Sequence, residues 1–174
     1  TPVFMAAQNG YAEVIKVLHG SRADLNKATT DDGDTPVFIA AARGHVEVVK
    51  VLQRGGADLD KADVDGATPV YIAAQEGHVE IVKLLYEGGA DLNKAATDNG
   101  TTPVFMAAQN GYAEVIKVLH GSRADLNKAT TDDGSTPVYI AAENGHVGVV
   151  KALLVGGADV QKADDEGTMP LWIA

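Results

Sequence analysis

The chain has 174 residues, 45% of them hydrophobic, and its 24 acidic against 14 basic side chains leave a net charge of −10. That length suits one globular unit or one short repeat array. The acidity disfavours nucleic acid and anionic membrane surfaces, whose binding rests on Lys and Arg, and no apolar run approaches the roughly 20 residues that span a bilayer.

Cysteine is absent, which excludes a disulfide framework and thiolate chemistry and fits an intracellular protein, cytoplasmic or nuclear. From Thr1 onward the sequence repeats itself. The segments TPVFMAA (1–7), TPVFIAA (35–41), TPVYIAA (68–74), TPVFMAA (102–108), TPVYIAA (136–142) and TMPLWIA (168–174) place proline at 2, 36, 69, 103, 137 and 170. The spacings are 34, 33, 34, 34 and 33 residues, the mark of a stacked array. Units start near 1, 35, 68, 102 and 136, with a truncated sixth near 168, so 1–174 reads as a single array. It opens without a methionine and stops inside a unit. A fragment of a longer chain is therefore expected, its apolar end faces prone to fraying or end-to-end self-association.

Within each unit, Thr at the N-cap precedes Pro at the first helical position, where the missing N–H costs nothing. A helix of about eight residues then runs to Gly10, Gly44, Gly77, Gly111 or Gly145. A second helix follows, as in 45–53 and 78–86, with Val46, Val49 and Leu52 predicted on one face and Glu47 and Lys50 elsewhere. Helices this short are unstable alone in water, so each unit must bury its apolar face on its neighbours. The Gly-Gly-Ala-Asp exits at 55–58, 88–91 and 156–159 lead into polar segments rich in Asp and Gly, which read as projecting turns or hairpins. The extra residue of the 34-residue units is expected at these tips, where it disturbs the core least.

This pattern of a Thr-Pro helix start, a Gly-His turn, a Val/Leu-rich second helix and a Gly-Ala-Asp-x-Asn exit resembles the ankyrin repeat family, over essentially the whole chain. The resemblance implies an all-α solenoid of helix-turn-helix units with projecting hairpin loops, non-catalytic and used to bind proteins or peptides. Three features depart from it. The histidine expected in the first helix is replaced by Phe4, Phe38, Tyr71, Phe105, Tyr139 and Trp172; these read as packing residues, with an aromatic row for a partner as the alternative. The glycine that ends the second helix, present as Gly56, Gly89 and Gly157, is Arg22 and Arg123 in two units. If the left-handed turn persists there, those units are the weaker ones, the more so with Gly20 and Gly121 near the helix ends. Finally, residues 1–33 and 102–134 are identical, which points to a recent duplication or to periodic contacts.

No constellation for chemistry emerges. His45, His78 and His146 occupy the Gly-His turn, His19 and His120 sit in the duplicated units, and no pair has zinc-site spacing. Ser21, Ser122 and Ser135 lie in no nucleophile elbow. The acidic turns lack the ligand spacing of a calcium hand. No catalytic residue, cofactor or metal is expected. Asp24, Asp58, Asp91, Asp125 and Asp159 recur in register and are read as bonding the turn backbone. Asn26, Asn93 and Asn127 are similar to the asparagine hydroxylated in some ankyrin proteins.

The candidate partner surface has two parts. One is the tips, with Asp31, Asp32, Asp34, Asp63, Asp65, Asp98, Asn99, Thr101, Asp132, Asp133 and Ser135, flanked by Lys27, Lys61, Lys94, Lys128 and Lys162 at their bases. The other is the first-helix ends, with Gln8, Asn9, Arg43, Gln75, Glu76, Gln109, Asn110, Glu143 and Asn144. The acidic edge predicts a basic protein or peptide as partner. A structural spacer or spring within a larger protein is the alternative.

Overall fold

The computed structural model describes residues 1–170. It places ten helices in five pairs: α1 (Pro2–Gln8) and α2 (Ala12–Gly20), α3 (Pro36–Ala42) and α4 (Val46–Arg54), α5 (Pro69–Gln75) and α6 (Val79–Glu87), α7 (Pro103–Gln109) and α8 (Ala113–Gly121), α9 (Pro137–Glu143) and α10 (Val147–Val155). No strand occurs among the described residues, so the fold is all-α. Most of the sixth unit's first helix, Trp172 included, lies outside them.

Each first helix begins as the sequence demands. The hydroxyl oxygens of Thr1, Thr35, Thr68, Thr102 and Thr136 accept the backbone N–H three residues on, at 3.1–3.3 Å, and proline takes the first helical place. Seven residues later the helix stops. The glycine just beyond it is left-handed, with φ between +70° and +82°, a backbone state that costs glycine little.

First helices pack on first helices along the chain, and second helices on second helices. One hydrophobic core runs from Val3 to Leu153. Ala40 and Ala41, Ala73 and Ala74, and Ala107 and Ala108 are fully buried; small side chains let neighbouring first helices approach closely. From the second helices, Val48, Val49 and Leu52 are buried, as are Ile81, Val82 and Leu85. Val46, half-buried in the first turn of α4, packs against this core beside Val49 and Leu52 as predicted, and Val48 adds a buried position to the face. Pairs such as Lys16–Glu13 at 2.6 Å are exposed and contribute little.

Among the described residues, left-handed backbone without glycine occurs only at two second-helix exits. Arg22 and Arg123 sit at φ +63° and +65°, where Gly56, Gly89 and Gly157 have +81°, +90° and +84°. The chain thus keeps the left-handed turn even without glycine. Gly20 and Gly121 are the last helical residues of α2 and α8.

Candidate partner-binding site

The tips are built outward from the Gly-Ala-Asp exits. There Asp24, Asp58, Asp91, Asp125 and Asp159 each accept, through Oδ1, the backbone N–H two residues on at 2.8–2.9 Å. This side-chain turn is the role expected of them. The residue two places on then reaches into the next unit: Asn26, Asp60, Asn93 and Asn127 accept the backbone N–H of Asp58, Asp91, Asp125 and Asp159 at 2.7–2.9 Å. Beside each bond, Lys61, Lys94, Lys128 or Lys162 donates to the main-chain carbonyl of that same Asn or Asp at 2.8–3.1 Å. Four of the lysines read as bases of the tips are therefore staples between units. Sequence reasoning missed this ladder: Asp-x-Asn/Asp-Lys recurs at the repeat period, but the pattern does not distinguish a bond across units from one within a unit.

Further out, the tips themselves are linked by their backbones. Val64 donates to the carbonyl of Asp32, Thr97 to Asp65, Thr131 to Asn99 and Asp165 to Asp133, at 2.8–3.0 Å. The extra residue of the longer units falls beyond these links: the closing pair is Asp63 to Ala67 in a short tip and Ala96 to Thr101 in a long one.

Inside each tip the carboxylates divide into bound and free-standing groups. Asp63 Oδ1 accepts the N–H of Asp65 and Ala67. Asp133 accepts from the Thr130 hydroxyl and from both the N–H and hydroxyl of Ser135. Those bonds, the Thr130 hydroxyl foremost, hold the Asp133 carboxyl below the usual carboxylate range. Asp34 goes the other way: partial burial, then the charges of Asp32 and Asp63, push it up. Asp31, Asp32, Asp65, Asp98, Asp132 and Asp133 stand exposed, while Asp34, Asp63 and Asn99 are half-buried.

Two predicted contact residues are corrected. Thr101 and Ser135 are each only 4% exposed. The Thr101 hydroxyl bonds Asn99 Oδ1 at 2.7 Å and lies 3.1 Å from Tyr71 Oη; that of Ser135 bonds Asp133. The inward turn before the next Thr-Pro pair buries both. At the first-helix ends, Asn9, Arg43, Glu76, Asn110, Glu143 and Asn144 are exposed, and Gln8, Gln75 and Gln109 are half-buried.

The histidines of the Gly-His turns bind backbone. Nε2 of His45, His78 and His146 lies 3.0, 3.3 and 2.9 Å from the carbonyls of Gln8, Ala42 and Gln109 in the preceding unit. The aromatic row splits between both readings given it: Phe38 and Phe105 are buried, while Phe4, Tyr71 and Tyr139 are half-buried. Burial outweighs the Thr101 bond and pushes the Tyr71 hydroxyl up. Tyr71, Phe105 and Tyr139 also line a common cavity with Asn99, Asp132 and Glu143.

Five helix pairs in one register, joined by left-handed glycine turns and linked tips, match a family model described as ankyrin repeats over residues 3–96 and 90–164. The chain belongs to the ankyrin-repeat family. No curated protein matches it significantly. Ankyrin repeats generally mediate protein–protein interaction and are generally non-catalytic. Among the described residues of this ankyrin array, no three His, Asp or Glu side chains are placed to hold a metal ion. No described helix is long and apolar enough to cross a membrane.

Proposed function

We propose that this ankyrin array is an interaction scaffold that offers its tip row and adjoining first-helix ends to a basic protein or peptide. The supporting observation is the backbone chain from Val64–Asp32 through Asp165–Asp133, which ties successive tips together while leaving Asp31, Asp32, Asp65, Asp98 and Asp132 exposed. A surface already ordered loses less entropy when a partner docks. A row of one sign of charge steers the opposite sign to it and makes association salt-dependent.

The test is binding of a polybasic peptide to the protein and to a triple variant, Asp32→Asn with Asp65→Asn and Asp132→Asn. Affinity should fall with salt and with the substitutions; indifference to both rejects this reading. A second reading, a spacer within a larger protein, draws on the identity of residues 1–33 and 102–134, since repeated exposed residues serve spacing as well as binding. Saturable capture of a defined partner separates the two.

A further inference from the structure

Where the third, fourth and fifth units meet, the groove between tips and first helices deepens into a cavity of about 330 Å³. Tyr71, Phe105, Met106 and Tyr139 contribute aromatic and apolar lining; Asp132, Asp133 and Glu143 contribute three carboxylates, and no cationic side chain lines it. We propose that this cavity receives an arginine side chain of the partner, an assignment that rests on the scaffold reading above and names its anchor.

The chemistry selects a guanidinium in three ways. Its aliphatic stem needs apolar lining, which Met106 and Ile140 provide. Its planar head stacks on aromatic rings and is less tightly hydrated than an ammonium, so the half-buried Tyr71 and Tyr139 at the cavity favour arginine over lysine. Its N–H donors need acceptors, and Asp132 and Glu143 stand exposed beside the pocket. Asp133 supplies charge more than bonds, because its oxygens already accept from Thr130 and Ser135.

The molecule carries its own comparison. Residues 29–33 repeat 130–134, so the first tip has the same Asp-Asp-Gly turn. Around it, however, Phe38 stands where the fifth unit has Tyr139, Ala42 where it has Glu143, and Arg43 where it has Asn144. If an acidic tip sufficed, both copies would bind arginine alike. The cavity requires that only the second does so strongly.

The experiment titrates the protein with acetyl-Gly-Gly-Arg-Gly-Gly-amide and follows the Met106 methyl signal by NMR. A saturable shift is expected, weakened about fivefold by Glu143→Gln and again by Asp132→Asn, and absent with citrulline in place of arginine. Asp31→Asn with Asp32→Asn should change the affinity less than twofold. All four residues except Glu143 lie in loops and all are exposed, and thermal melts confirm that the variants fold. Equal losses from the first-tip and cavity substitutions, or a citrulline peptide that binds as well, overturn the arginine pocket while leaving the basic-partner reading intact. If the polybasic peptide also fails to bind the unaltered protein, both fall together.

Discussion

Tyr112 lies against Gly77 so closely that a Cβ on that glycine would meet its Cε1 at 2.7 Å. At the other three unit interfaces a histidine occupies this place, against Gly10, Gly44 and Gly111. Each of those imidazoles also bonds a carbonyl of the preceding unit. The phenol makes no such bond to Gln75. Tyr112→His is therefore expected to add one inter-unit hydrogen bond, worth about 1 kcal/mol or roughly 2–4 °C in Tm for a chain of this size. Tyr112→Phe is the control, expected to melt like the parent. A Tyr112→His melt at or below the parent value rejects the account.

The fold was legible because its determinants are local and recur. A Thr-Pro start, a left-handed glycine and two alanines fix a helix and its close packing at every pass. The left-handed exit was equally readable, since Gly56, Gly89 and Gly157 mark what Arg22 and Arg123 must adopt. The ladder from Asn93 to Asp125 was not. It joins residues 32 apart, and a turn aspartate, a bridging asparagine and a surface lysine have the same composition whether or not they bond across units. The inward burial of Thr101 and Ser135 was hidden likewise, because small polar residues beside a tip look exposed until the next helix start is placed.

Arg22 and Arg123 adopt a backbone state that penalises any residue with a Cβ. Replacing both with glycine relieves that strain but enlarges the freedom of the unfolded chain. The net gain expected is about 1 kcal/mol at each site. Chemical denaturation of Arg22→Gly, Arg123→Gly and the double variant checks this, with near-additive effects because the sites are far apart in the array. A lower midpoint for the double variant contradicts the strain.

Asn93 tests the inter-unit ladder. Asn93→Ala removes the acceptor for the Asp125 N–H and should cost about 1–2 kcal/mol. Asn93→Asp should cost much less, because Asp60 performs the same task toward Asp91 in this chain. Amide hydrogen exchange at Asp125 reports the bond directly: its protection should drop in the alanine variant and persist in the aspartate one. Equal protection in both would show that the side chain does not hold the ladder.

Asp34 is the first residue at which the duplicated units diverge, for its counterpart is Ser135. In the later copy the serine hydroxyl and N–H satisfy Asp133; in the earlier one a carboxylate is pushed up by burial and by Asp32 and Asp63. A raised carboxyl favours folding while it is protonated, and that contribution disappears as pH rises through the carboxylate range. Asp34→Ser should consequently stabilise the protein at pH 7, with Asp32 gaining the bonds that Asp133 has. The advantage should shrink as acid protonates Asp34 in the parent, so melting curves of the two proteins converge toward pH 3. Asp133→Asn provides the opposite sign: its carboxyl is held down by hydrogen bonds, so the charge it carries supports folding above the carboxylate range and is lost below it. That variant should be weaker than the parent at pH 7 and closer to it in acid. Parallel pH profiles for parent and Asp34→Ser would mean that the crowded carboxylate does not limit the first tip.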